Sequence, residues 1–171
     1  MILWLNGAFG VGKTTTAQAI RMHAPTWRLF DPEQVGALLA MNLAGVEFTD
    51  FQDLPPWRSL VPQIASGIAD FTGDDLLVVQ AVLVQDYWEE MQDRFAEQRQ
   101  NVFHVLLDAP AMVLEARIRA DQVERGAEEW RLDHVSSYES AKSWLLSSAD
   151  LVDTCRLGAA ATASFILHSV R

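Results

Sequence analysis

The segment with the clearest chemical pattern is GAFGVGKT, residues 7–14, which directly follows an apolar start to the chain. It fits G-x-x-x-x-G-K-[ST] at every fixed position, and in that pattern the lysine reaches the β- and γ-phosphates while the hydroxyl ligates Mg²⁺. Glycines let the backbone N–H groups approach phosphate oxygens closely, and a helix beginning near the lysine points its positive end at them. We therefore predict an ATP site with Thr14 on the magnesium, formed by Gly7, Ala8, Phe9, Gly10, Val11, Gly12, Lys13, Thr14 and Thr15.

Apolar runs alternate with helical patterns along the rest of the chain. Predicted strands cover 1–5, 27–30, 74–84, 101–109 and 149–153, and predicted helices cover about 13–23, a stretch from Asp31, 57–71, 87–99, 111–120, 135–147 and a short C-terminal segment. Apolar strands without polar alternation, separated by helices, are typical of a parallel sheet covered on both faces. The sequence thus predicts a single α/β domain over 1–171, with three α/β/α layers and five parallel strands.

The acid at the end of the second strand is the first candidate for chemistry beyond the phosphates. Ligands bind at the carboxyl edge of open parallel sheets, where Asp31 is expected. A carboxylate there can accept the proton of a substrate hydroxyl or hold the metal. Asp31-Pro32-Glu33-Gln34 also has the form of a helix N-cap with proline at the first helical position. Both roles stay open.

Three further side chains are candidates for substrate binding. Arg58 follows two prolines and Trp57 at the start of a helix, where a guanidinium could bind an anionic group and the indole could stack on a ring. A surface arginine and a core tryptophan are the alternative. Gln80, in the third strand, could hydrogen-bond a substrate or be a satisfied buried amide. That strand ends without the metal-orienting aspartate of many phosphate-loop ATPases, which disfavours a hydrolysing ATPase.

A charged stretch between the fourth and fifth strands is the expected position of a lid, at about 118–134. Arginines in a mobile lid can contact a transferring phosphoryl group. Of the arginines in and before this stretch, Arg117 and Arg125 are the first candidates, although interleaved acids also fit a solvated surface.

Composition limits the possible partners. The net charge of -10 argues against general nucleic-acid binding, which needs many cations to replace counterions. The single cysteine, Cys155, excludes an internal disulfide. There is no apolar run long enough for a membrane span and no basic N-terminal region typical of a signal peptide, so a cytoplasmic protein is expected. Monomer and homodimer are both open.

Three blocks in order, MILWLNGAFGVGKTTTA, FDPEQVG and DFQDLPPWR, resemble the tunicamycin-resistance (TmrB-like) proteins of bacteria. These are similar to nucleoside monophosphate, shikimate and chloramphenicol kinases. The resemblance implies a phosphate-loop NTPase fold, nucleotide-kinase-like with a lid, and the sheet order 2-3-1-4-5. It also implies that Asp31 is the base and that the ligand is a uridine-containing antibiotic or similar nucleoside. The basic amphipathic C-terminal segment of some members is not seen here, so stable membrane anchoring is not expected.

The sequence therefore predicts an ATP- and Mg²⁺-dependent phosphotransferase acting on a small-molecule hydroxyl. Lys13, Asp31 and the arginines Arg117 and Arg125 would be catalytic, with Trp57, Arg58 and Gln80 at the substrate. Two alternatives remain: an ATP-binding protein that sequesters the drug without phosphoryl transfer, and a housekeeping nucleotide kinase. The second is less favoured, because a substrate phosphate calls for several arginines near residues 50–60, where only Arg58 occurs.

Overall fold

A five-stranded parallel sheet forms the centre of the protein, seen in a computed structural model that describes residues 1–121 and 127–170. The sheet order is β2-β3-β1-β4-β5, and every neighbouring pair is parallel. The predicted fold class and the implied strand order are both confirmed. The strands are β1 (Ile2–Asn6), β2 (Arg28–Phe30), β3 (Leu76–Val79), β4 (Val102–Asp108) and β5 (Asp150–Asp153).

Helices cover both faces of the sheet, and successive side chains of β1 therefore pack into two different apolar clusters. Leu3 and Leu5 belong to one cluster, whereas Ile2 and Trp4 belong to the other. No helix in the described ranges is long and apolar enough to cross a membrane. The helices are α1 (Lys13–His23), α2 (Glu33–Asn42), α3 (Pro55–Thr72), α4 (Gln85–Glu97), α5 (Ala111–Ala120), α6 (Glu128–Ser148) and α7 (Ala159–Ser169), with a 3-10 helix at Phe51–Asp53.

The third strand is much shorter than the predicted 74–84, since it ends at Val79. Beyond it, the side-chain amide of Asn6 takes the place of a neighbouring strand. Its Oδ1 accepts from the Val82 N–H at 3.0 Å and its Nδ2 donates to the Val82 carbonyl at 3.0 Å. The backbone therefore remains hydrogen-bonded without continuing the sheet. Residues 80–84, predicted as strand, form a connection at the carboxyl edge instead.

The charged stretch before residue 135 is partly helical, which the sequence pattern did not predict. Helix α6 begins at Glu128, seven residues before the predicted start, and two acids in its first turn complement the helix dipole. Of the lid expected over 118–134, the described residues are 118–121 and 127–134.

Candidate functional site

The segment between β1 and α1 has the backbone geometry of a phosphate cradle. Gly7 and Gly12 have φ values of 139° and 100°, a region that side chains with a Cβ rarely occupy. At Gly7 a Cβ would also collide with the carbonyl of Leu107 on β4, so this position requires glycine for two reasons. The Gly12 position is open, and α1 starts at the next residue. Backbone N–H groups at such a helix start suit an anion.

The lysine of the motif lies against the loop itself. Lys13 Nζ donates to the carbonyls of Gly7 at 2.8 Å and Ala8 at 2.9 Å. Burial and, to a smaller extent, the charge of Arg131 lower the pKa of Lys13, the carboxylate of Glu33 raises it, and the net result is a pKa of about 8. A phosphate bound in the loop would add negative charge beside this ammonium and raise its pKa.

Asn6, which the sequence analysis did not single out, fixes the start of the loop. Its Oδ1 accepts from the Gly7 N–H at 2.8 Å as well as from Val82, and its Nδ2 lies 3.1 Å from His104 Nε2. The side chain is fully buried. One asparagine thereby connects the phosphate loop, β4 and the connection after β3. The sequence signal for it was a single polar residue at the end of an apolar strand.

A cavity of about 950 Å³ opens from the phosphate loop, a volume at the upper end of the range for small-molecule sites. Its lining comes from six parts of the chain: the phosphate loop with the first turn of α1, Glu33, the 48–53 segment, the connection after β3 with Tyr87, the end of α5, and α6. Predicted residues that line it are Ala8, Phe9, Gly10, Gly12, Lys13, Thr14, Thr15, Gln80 and Arg117.

Gln80 is the first residue beyond β3 and borders this cavity. Only 7% of the residue is exposed, and its Nε2 donates to the Ala81 carbonyl at 3.3 Å. Among the described residues, Oε1 is a buried acceptor without a hydrogen-bond donor. Such an atom is costly unless a ligand or water donates to it.

Two carboxylates with different surroundings lie just after β2, where the chain enters α2. Asp31 is not part of the cavity lining, and its Oδ1 accepts from the Glu33 N–H at 3.0 Å at the start of α2. Glu33 lines the cavity and is close enough to Lys13 to influence its pKa. Asp31 therefore accepts a hydrogen bond from the first residue of α2, although the N-cap of that helix is Pro32, and the acid that lines the cavity is the residue two positions later.

Trp57 and Arg58 do not line the cavity. Trp57 is fully buried, with its indole N–H donated to the Pro32 carbonyl at 3.0 Å and its ring 5.3 Å from that of Phe51. Arg58 donates to Glu90 at 2.7 Å and to the Gln52 carbonyl at 2.6 Å. In this structure both residues support the 48–53 segment from behind.

Of the two arginines ranked first, Arg117 lines the cavity and Arg125 lies outside the described residues. Arg117 makes long contacts of 3.4 Å with the carbonyls of Gly10 and Val11 and donates to Thr154 Oγ1 at 3.1 Å. It thereby joins the phosphate loop to the segment after β5.

An aromatic cluster near the phosphate loop was not predicted. Phe9 packs edge-on against Trp130 and His134 of α6, with ring centres 5.0 and 5.7 Å apart. The Arg131 guanidinium lies 5.7 Å from the Phe9 ring centre and pairs with Asp121 at 2.8 Å. These α6 residues border the cavity, so Arg131 is the buried α6 cation beside the phosphate loop. No group of three or more His, Cys, Asp or Glu residues within 1–121 and 127–170 is suited to hold a metal.

Comparison with known proteins shows which solved structures this chain resembles. No protein-family model and no curated protein matches the chain. A solved structure described as the tunicamycin resistance protein of Deinococcus radiodurans is 25% identical with a TM-score of 0.73, covering 99% of this chain and 94% of that one. A sugar kinase from Janibacter is 18% identical with a TM-score of 0.67, covering 99% and 93%. Shikimate kinase from Acinetobacter baumannii is 18% identical with a TM-score of 0.64, covering 99% and 92%.

The resemblance to tunicamycin-resistance proteins is thus confirmed over nearly the whole chain, and the fold is that of phosphate-loop kinases. The sequence blocks supporting that resemblance lie in the first 60 residues, whereas the structural similarity extends to the last helix.

Proposed function

We propose that this protein is an ATP- and Mg²⁺-dependent phosphotransferase acting on a hydroxyl of a small molecule. The observation that carries the proposal is one continuous cavity, which runs from the phosphate loop past the carboxylate of Glu33 to the 48–53 segment. Its volume of about 950 Å³ gives room for a second ligand beside a triphosphate. The kinase fold of its structural neighbours supports the same class of reaction.

The residues of the loop fit ATP and its metal. The cradle at Gly7 and Gly12 suits phosphate oxygens, the Lys13 ammonium suits the β- and γ-phosphates, and the exposed Thr14 hydroxyl lines the cavity where it would ligate Mg²⁺. The metal, when bound, supplies positive charge that stabilises the transferring phosphoryl group. Among the described residues, Arg117 and Arg131 border the same cavity and are candidate cations for that group, and Arg125 stays a candidate from its position in the sequence.

One of the two acids that follow β2 would accept the proton of the attacking hydroxyl. Asp31 was the sequence-based candidate, and Glu33 is the acid that lines the cavity. We infer that Glu33 holds the proton while Asp31, through its bond to the Glu33 N–H, positions it. A neutral amide at either position would keep the local shape.

The substrate that we propose is a nucleoside-type antibiotic such as tunicamycin. The similarity at 25% identity to a tunicamycin resistance protein supports this choice. An ATP-dependent protein that closes around the drug without transferring phosphate is the alternative reading of the same similarity. The nucleotide-kinase alternative is less favoured, since Arg58 is paired with Glu90 and does not line the cavity.

The test compares Glu33→Gln with Asp31→Asn in transfer of label from γ-labelled ATP to tunicamycin. We expect Glu33→Gln to reduce the rate by 100-fold or more, in line with the roughly 10²–10⁴-fold contribution of a general base, with ATP affinity unchanged. Asp31→Asn should have the smaller effect. Tight drug binding by the wild type without any labelled product would reject phosphoryl transfer in favour of sequestration.

A further inference from the structure

One wall of the cavity carries negative charge only. It is formed by residues 48–53, the lining residues of 79–84, and Tyr87. We call this surface the acceptor wall. It contains two carboxylates, Asp50 and Asp53, and no lysine or arginine. Asp50 is half-buried, and its Oδ1 accepts from the Gln52 N–H at 2.9 Å. Asp53 accepts a hydrogen bond from the Tyr87 hydroxyl at 3.1 Å.

The cations of the described cavity lining all contact the phosphate loop. Lys13 is part of it, Arg117 contacts the Gly10 and Val11 carbonyls, and Arg131 lies over Phe9. Arg58 is the cation behind the acceptor wall, with its guanidinium 4.2 Å from the Tyr87 ring centre. It pairs with Glu90 at 2.7 Å, a carboxylate that also accepts from Arg94 at 3.2 Å. The positive charge of the cavity is therefore concentrated where the triphosphate is expected, and the acceptor wall is negative.

A second and independent feature of the wall is the buried acceptor on Gln80. Its Nε2 is engaged with Ala81, whereas Oε1 has no donor among the described residues. A ligand with a hydroxyl or ring N–H would satisfy this atom, and an anionic oxygen would not. Phe48, Phe51 and Tyr87 add apolar surface against which a ring can pack.

We propose that the acceptor wall selects an uncharged or cationic ring compound bearing hydroxyl or N–H donors, and discriminates against phosphorylated or carboxylated acceptors. This inference rests on the proposed function and specifies its substrate class. An anion brought beside Asp50 and Asp53 loses its hydration and meets like charge. A neutral nucleoside or sugar has neither cost, its donors match the two carboxylates, and a donor that reached Gln80 Oε1 would satisfy that acceptor.

The test uses two matched pairs of ligands: uridine with uridine 5′-monophosphate, and N-acetylglucosamine with its 6-phosphate. Binding is measured by calorimetry, with and without a non-hydrolysable ATP analogue and Mg²⁺. We expect at least one neutral member to bind, and to bind tenfold or more tightly than its anionic partner. Equal or tighter binding of either anionic member, or no binding of either neutral member, would overturn the inference.

The double variant Asp50→Asn/Asp53→Asn tests whether these two charges cause the preference for neutral over anionic ligands. Asparagine keeps the Oδ1 acceptors used by the Gln52 N–H and the Tyr87 hydroxyl, so the wall should retain its shape. The neutral-to-anionic affinity ratio should fall about tenfold, whereas Asp86→Asn, an exposed acid of α4 outside the lining, should leave it unchanged. An unchanged ratio in the double variant would contradict the inference. Should that variant not fold, the wild-type ratio decides alone.

The two proposals fail in different ways. Absence of binding by the ATP analogue would reject the kinase function, while the ligand pairs measured without nucleotide would still decide the charge preference. Transfer of phosphate to an anionic acceptor at the same rate as to its neutral partner would support the kinase function and reject this inference.

Discussion

Lys13 is the side chain on which nucleotide binding depends most directly. Its ammonium is held by two carbonyls of the loop, and it carries much of the positive charge that faces the phosphates. Lys13→Ala removes charge-assisted hydrogen bonds of about 1.5–3 kcal/mol, so ATP affinity should fall roughly 10- to 150-fold. Calorimetric titration with ATP and Mg²⁺ measures this, and Lys142→Ala, which removes a lysine outside the cavity lining, serves as the control. Equal affinity for wild type and Lys13→Ala would contradict the phosphate-loop assignment.

The same lysine predicts a pH dependence. Because burial lowers the pKa of Lys13 to about 8, the ligand-free protein loses this positive charge as the pH rises through that value. Bound phosphate favours the charged form, so ATP affinity should be constant at lower pH and fall above about pH 8. Affinity measured from neutral to alkaline pH tests this, with Lys13→Arg as the control, since arginine keeps its charge throughout. A flat profile for the wild type would contradict it.

At the scale of elements, Asn6 connects β1 to the connection after β3 and to the phosphate loop. Asn6→Ala leaves the buried N–H groups of Gly7 and Val82 without their acceptor. Each unsatisfied group costs about 1–3 kcal/mol, so the free energy of unfolding should drop by roughly 2–6 kcal/mol. Asn42→Ala is the matched control, because that side chain is exposed and donates only to the Leu38 carbonyl. Urea denaturation compares them, and similar losses would argue against the role of Asn6.

His104 makes the sheet sensitive to acid. Burial lowers its pKa from 6.5 to about 4, and its Nε2 lies 3.1 Å from Asn6 Nδ2, which fits an acceptor in a neutral ring. Between pH 6.5 and about pH 4, the unfolded chain therefore binds a proton at His104 that the folded state does not bind. This contribution to stability is complete above about pH 6.5 and is lost as the pH falls towards 4.

The expected loss from His104 is about 2 kcal/mol between pH 7 and pH 5. Urea denaturation of the wild type and His104→Gln at both values measures it, and the variant should lack this part of the pH dependence. His168→Gln, at an exposed position in α7, should behave like the wild type. An identical pH dependence in wild type and His104→Gln would refute the assignment.

For the whole molecule, the sequence predicted the layers and the phosphate loop because these depend on local patterns. Non-alternating apolar strands and the spacing of Gly7, Gly12 and Lys13 are visible in the chain itself. The acceptor wall could not be predicted in this way. It depends on β3 ending at Val79, beyond which the Asn6 side chain of β1 bonds to the backbone in place of a neighbouring strand. It also depends on Trp57 packing behind the 48–53 segment. Likewise, the contrast between Asp31 and Glu33 depends on the directions in which two side chains leave the backbone at the start of α2.

The most direct test of the whole account is transfer of label from γ-labelled ATP with Mg²⁺ to a panel of nucleosides, nucleoside monophosphates and tunicamycin. We expect labelled product with an uncharged acceptor, little or none with the monophosphates, and loss of product in Lys13→Ala. Turnover only with a monophosphate would contradict the account of the acceptor wall. Bound ATP and bound drug with no labelled product at all would show that this protein is not a phosphotransferase.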